Sequence, residues 1–202
     1  MKITKKHRDI FMACAMGDGH ISKGGAFIAF HSERQKAFVE YKAKLLGPML
    51  CSRLTRVCSG RFPQVGISCR TSKFTKAARR WLYPNGKKRI SAKAVRRLSP
   101  LTFAIWWMDD GSLSVKRGKT GRIKATVSTL STCVSREENQ VIIDELYKKF
   151  GVKFGQRKLK SSYALICGTR EGRKLRDVLS PYIIPSMRYK IECVDTKVEH
   201  QG

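Results

Sequence analysis

Two stretches of the chain repeat one pattern, and that repeat limits the fold more than any other feature. Residues 11–21 run Phe-Met-Ala-Cys-Ala-Met-Gly-Asp18-Gly19-His20-Ile21, and residues 103–113 run Phe-Ala-Ile-Trp-Trp-Met-Asp-Asp110-Gly111-Ser112-Leu113. Each is apolar for about two helical turns and then ends in an aspartate followed by a glycine. A repeat of this kind turns the chain into two copies of one unit, and places Asp18 and Asp110 at equivalent positions.

The segments after the two stretches also correspond. After Asp18-Gly19, Ala26 to Phe30 reads as a strand, and Glu33 to Leu46 as a helix with Phe38, Tyr41, Leu45 and Leu46 near one face. After Asp110-Gly111, Ala125 to Leu130 reads as a strand. Arg136 to Phe150 then reads as a helix with Val141, Ile142, Leu146 and Phe150 on its apolar side, and with Ser135 and Glu138 as its capping box. Short strands come next in both copies: Arg53–Val57 and Gln64–Cys69, then Lys153–Lys158 and Tyr163–Cys167. A closing helix (Lys73–Leu82; Glu171–Leu179) stops before Pro84 or Pro181, and the turn-rich run Lys116–Arg122 gives the second copy the longer hairpin. The order α-β-β-α-β-β-α is therefore predicted twice. This is an α/β (α+β) chain of two pseudo-symmetric units, residues 1–98 and 99–202, with curved antiparallel sheets packed through a central pair of helices. Ser91 to Leu98 is basic and helix-compatible rather than a linker, so the units should share a core.

Charge narrows the partner. Lys and Arg number 42 against 15 Asp and Glu, a net charge of +27. Self-repulsion on that scale opposes compaction, and a polyanionic partner is the usual reason to carry it. Membrane is excluded as that partner, because no run nears the roughly 20 apolar residues of a spanning helix. A hydrophobic content of 42% excludes a basic disordered tail. The seven cysteines are odd in number, lack C-x-x-C pairing and mostly sit beside apolar residues, which points to reduced, mostly buried thiols rather than disulfides or zinc. With no secretion signal at the N-terminus, an intracellular protein is expected.

The two motifs resemble the one for which the LAGLIDADG homing endonucleases are named, the second (Ala104 to Gly111) most closely. Pro185-Ser186-Met187-Arg188-Tyr189-Lys190 is similar to the C-terminal segment of the intron-encoded, single-chain subfamily. The resemblance spans about residue 7 to 192. It implies a monomer that cuts both strands of one long, non-palindromic DNA site across the minor groove, wherever the host intron's DNA resides. It implies Asp18 and Asp110 as catalytic, metal-binding residues, with the backbone carbonyls of Gly17 and Asp109 as further ligands. Mg²⁺ is the implied cofactor; Mn²⁺ would substitute, and Ca²⁺ would support binding without cleavage. Lys88 (or its neighbour Arg89) and Lys190 occupy similar places in the two copies and are the implied basic residues near the scissile phosphates. One departure stands out: the family's acidic residue two positions before the last aspartate is Met16 in one copy and Met108 in the other. His20 has no counterpart and is read as structural or DNA-facing.

The chemistry can be argued beside the resemblance. Helices packed by Ala13, Ala15, Gly17 and Ala104 could bring Asp18 and Asp110 together, and neighbouring carboxylates bind hard divalent cations, which activate water and stabilise both oxygens of a phosphodiester displacement. Gly19 and Gly111 would supply permissive backbone dihedrals where each helix meets its sheet. DNA readout is expected on the sheets, from Arg53, Arg56, Arg61, Gln64, Ser68 and Arg70 in the first copy. The second copy would offer Arg117, Arg122, Lys124, Gln156, Lys158 and Lys160. The rival readings are a maturase acting on group I intron RNA and a silent DNA-binding regulator on the same fold. Two intact aspartates, and no added helix-turn-helix, favour the nuclease.

Overall fold

The computed structural model describes residues 3–59 and 62–193; Arg61 lies outside them. The first copy runs α1 (Lys5–Met16), β1 (His20–Ile21), β2 (Phe27–Ser32), α2 (Lys36–Leu50), β3 (Cys51–Ser59), β4 (Phe62–Cys69) and α3 (Lys73–Leu82). A short helix α4 (Ala92–Arg96) leads to the second copy. That copy is α5 (Pro100–Asp110), β5 (Gly111–Arg117), β6 (Ile123–Val134), α6 (Arg136–Phe150), β7 (Gly155–Lys158), β8 (Tyr163–Gly168) and α7 (Thr169–Leu179), closed by a 3-10 segment, Pro185–Lys190. The expected element order holds in both copies.

Local chemistry starts each motif helix. Thr4 accepts from the His7 backbone N–H while His7 Nδ1 accepts from that of Thr4, and Ser99 and Thr102 cap α5 in the same reciprocal way, with Pro100 in the first turn. The Ser135–Glu138 box forms as expected. Regular helix in α2 ends near Leu46, because Gly47 adopts φ 66° ahead of Pro48. β6 outruns its expected end at Leu130, continuing through an irregular register in which Cys133 takes φ 54°.

Two four-stranded antiparallel sheets result, ordered β1-β2-β4-β3 and β5-β6-β8-β7. Each buries one face under helices. Phe27, Ala29, Val65, Ile67 and Cys69 point inward in the first sheet, and Leu130, Leu165 and Cys167 do so in the second. The core joins both sheets to α1 and α5, whose residues Ile10–Met16 and Thr102–Asp109 are all buried. Among the described residues no helix is long and apolar enough to cross a membrane. The six cysteines whose side chains are described form no disulfide, and three of them (Cys14, Cys69, Cys167) are buried.

Candidate functional site

The site lies where α1 and α5, packed on each other, reach their C-terminal ends. Both helices end in glycine, though for a different reason than the sequence suggested. Neither Gly19 nor Gly111 has positive φ; space is what each lacks. A Cβ on Gly19 would strike the Cys14 carbonyl and the Phe27 ring. Gly17 is tighter still, since a Cβ there would overlap the Asp109 carboxylate. At matched positions of the two copies, then, one side chain is absent so that the other can fill the shared space.

Three carboxylates converge here. Asp18 is 44% exposed. Asp110 points inward, accepts from Trp106 Nε1 at 3.0 Å, and has its carboxyl pushed up to about 7 by burial first, then by Asp18 and Asp109. The Asp109 side chain is fully buried: Oδ1 accepts from Lys42 Nζ at 2.8 Å, and Oδ2 has no hydrogen-bond partner among the described residues. Burial raises this carboxyl too, with Lys42 opposing.

Lys88 and Lys190 take mirrored places. Lys88 Nζ donates to the carbonyls of Gly17 (2.6 Å) and Gly19 (3.0 Å). Lys190 Nζ donates to those of Met108 and Asp109, the latter at 2.7 Å. Trp107 Nε1 in turn donates to the Lys190 carbonyl at 3.1 Å, fixing the closing segment. Burial lowers both ammonium groups and the nearby aspartates oppose it. Each lysine so satisfies carbonyls that α1 or α5 leaves open at its end. Arg89, the alternative to Lys88, instead pairs at the surface with Glu138.

Two residues of this cluster escaped the sequence reading. His31 lies in β2 with Phe27 and Ala29 on the inward phase. Its Nε2 lies 2.7 Å from Lys42 Nζ and its Nδ1 3.2 Å from Gln35 Oε1 and 3.6 Å from Asp18 Oδ2. Because the ammonium can only donate, Nε2 accepts and Nδ1 carries the proton; burial and Lys42 push this imidazole down to about 4, so it is neutral. Lys42 sits on α2 between Phe38 and Leu46, both buried. A single lysine inside an i, i+4 apolar stripe is the signal that would have revealed it. Asp18, His31 and Asp109 bring ligand atoms within 4.8 Å of one another. However, Lys42 already occupies His31 Nε2 and Asp109 Oδ1, so Asp18 and Asp110 are the better-placed cation donors.

The sheets redistribute the expected DNA contacts. In β3 and β4 the pairs Arg53–Ser68 and Val57–Gln64 lie on the outer face, away from the helices. Arg56 pairs with Val65 on the helix-covered face and forms an ion pair with Glu33, so it does not join Arg53: strand residues three apart cannot share a face. In the second sheet Gln156 pairs with Leu165 on the helix side and bonds Gln140 of α6. Lys158 shares that phase. Arg157, paired with Ala164, takes the outer face instead. Buried Val152 and Phe154 set this phase, since alternation from Phe154 turns even-numbered residues inward. Arg70 is exposed just beyond β4, Arg117, Arg122 and Lys124 are exposed at the β5–β6 hairpin, and Lys160 is exposed at the β7–β8 turn. His20 pairs with Ile28 on the outer face, the DNA-facing alternative.

Residues 8–175 match the LAGLIDADG DNA endonuclease family. Among curated proteins, Protein RecA of Mycolicibacterium flavescens is 28% identical over 207 residues, covering 94% of this chain and 47% of that protein. Probable intron-encoded DNA endonuclease 3 of Mycosarcoma maydis is 35% identical over 106 residues, 52% of this chain and 73% of that protein. The chain thus spans about half the length of the RecA protein it matches. A solved structure, homing endonuclease I-WcaI bound to its DNA recognition sequence, shares the fold with a TM-score of 0.78 at 20% identity, covering 95% of this chain and 88% of that one.

Proposed function

The chain belongs to the LAGLIDADG DNA endonuclease family, and on that premise we propose that it is a metal-dependent homing endonuclease, cutting both strands of one long duplex site with Asp18 and Asp110. The observation that carries this reading is the matched pair of helix ends, each with an aspartate followed by glycine and a lysine on its terminal carbonyls. The two units, 1–98 and 99–202, would each address one half of a non-palindromic site.

The donor set fits a hard divalent cation. Asp18 and Asp110 are carboxylates whose neighbourhood is negative enough to hold Asp110 protonated up to about 7, and charge of that sign favours a cation. The carbonyls of Gly17 and Asp109 each keep a second lone pair beside their lysine bond. Mg²⁺ is the ion proposed; when bound, it would activate water and stabilise the leaving oxygen. Asp18 and Asp110 would bind and orient it. Lys88 and Lys190 would hold the two helix ends in register and present ammonium protons where a scissile phosphate oxygen approaches. His31, a neutral Nδ1–H donor, would orient Asp18. Phosphates and bases would be met by the outer sheet faces and hairpin tips: Arg53, Gln64, Ser68, Arg70, Arg117, Arg122, Lys124, Arg157 and Lys160.

The test is selection from a library of long randomised duplexes with Mg²⁺, followed by Asp18→Asn and Asp110→Asn. Each variant should lose double-strand cleavage and keep binding in Ca²⁺, because asparagine retains shape and one oxygen but not charge. Wild-type cleavage by either variant would remove its aspartate from the mechanism. Loss of binding in both would make the pair structural.

A further inference from the structure

The outer face of the first sheet carries two large apolar side chains where solvent would favour polar ones. Ile28 is 41% exposed and Phe30 37%. Both point away from the helices, on the phase opposite to buried Phe27, Ala29 and His31. They stand in cross-strand rows with polar partners, Ile28 opposite Ser68 and Phe30 opposite Gly66. Gly66 is what lets Phe30 lie down. A Cβ at that position would strike the Phe30 ring, so the ring covers the bare backbone of β4 and is held there.

The second sheet has nothing like this. Its outer phase presents Ser112, Ser114, Lys116 and Ser131 to solvent, and none of the exposed large apolar residues among those described lies on it. The apolar pair is therefore a property of one half of the molecule.

We infer that Ile28 and Phe30 are specificity residues that read thymine C5-methyl groups in the major groove of the half-site bound by the first sheet. The inference rests on the endonuclease reading above. Duplex DNA is the occupant that the net charge of +27 calls for, and the thymine methyl is the one apolar feature the major groove displays. Phe30 adjoins His31, whose ring contacts Asp18, so these methyls belong to base pairs on the flank next to the cut. Same-face neighbours on a strand are about 6.8 Å apart, or about two base-pair steps at 3.4 Å each, so the two side chains address distinct pairs. The second sheet, lacking such groups, would read its half-site by hydrogen bonds alone.

The experiment replaces thymine by uracil, which removes the methyl and leaves pairing intact. A duplex selected from the randomised library is resynthesised with single thymine-to-uracil changes through both half-sites, and binding is measured in Ca²⁺. One or two changes in the first-sheet half-site should weaken wild-type binding about fourfold each, the factor for burying one methyl-sized group; changes in the other half-site should have no effect. Ile28→Ser and Phe30→Ser should each remove sensitivity at one position while tight binding to the rest of the site persists. If a duplex is selected but uracil is tolerated throughout, or sensitivity survives in both variants, the thymine assignment is overturned and the endonuclease reading stands. If no duplex is selected at all, both fall together.

Discussion

Lys42→Met should cost this protein more stability than any comparable change of a surface lysine. The Lys42 and Asp109 side chains are both wholly buried, with Nζ 2.8 Å from Oδ1, and Lys42 also donates to His31. Removing the lysine leaves the Asp109 carboxylate buried with no cation in direct contact, and its Oδ2 is already without a partner. Breaking a buried pair from one side costs about 3–5 kcal/mol. At about 2–4 °C per kcal/mol for a chain of this size, the melting temperature should fall by about 6–20 °C. Circular dichroism melts of wild type, Lys42→Met, Asp109→Leu and the double variant form a cycle. The double variant should recover much of the loss, because no lone charge then remains buried. A Lys42→Met melt within about 2 °C of wild type, or a double variant as unstable as the two singles combined, would refute the pair as the source of the effect.

Three further outcomes are expected. Asp110 titrates near 7 in the fold against 3.8 unfolded. A raised carboxyl means the folded state binds the proton more tightly, so stability falls as pH rises from about 4 through 7. Asp110→Asn should thus melt higher than wild type at pH 8, by at most about 4 kcal/mol, and match it at pH 4; an equal gain at both would exclude titration as the cause. Binding should weaken steeply with salt, with a log–log slope of about −7 for roughly eight phosphate contacts, and a slope shallower than about −3 would count against a phosphate-tracking surface. Sedimentation at micromolar concentration should give a monomer, because the repeat supplies its own twofold partner; a dominant dimer would contradict this.

The element order was legible because two Asp-Gly endings fixed the repeat and apolar periodicity filled in the rest. Lys88 and Lys190 were legible by their matching places alone. Strand phase was harder. In β3 an irregular register between Cys51 and Arg53 turns the chain over, so that Arg53 faces out and Arg56 in; no residue type announces that bulge. In β7 the information was present, in Val152 and Phe154 just ahead of the strand, yet Gln156 looked like a base reader and Arg157 was passed over. His31 and Lys42 were missed because each is polar at an inward position, where its value depends on an Asp109 supplied by the other half of the chain. Such a cross-half partner has no local signature.

Gly17 and Asp109 commit the two halves to each other. A protein assembled from two copies of the first half would set glycine against glycine, leaving a void where the Asp109 carboxylate now sits and two buried lysines without a counter-ion. One assembled from two copies of the second would drive two carboxylates into a space that holds one, with no Lys42 to meet either. Recombining halves among relatives, or reducing this chain to a symmetric homodimer, therefore requires exchanging Gly17, Lys42 and Asp109 as a unit. The duplication written in the sequence can no longer be run backwards by truncation.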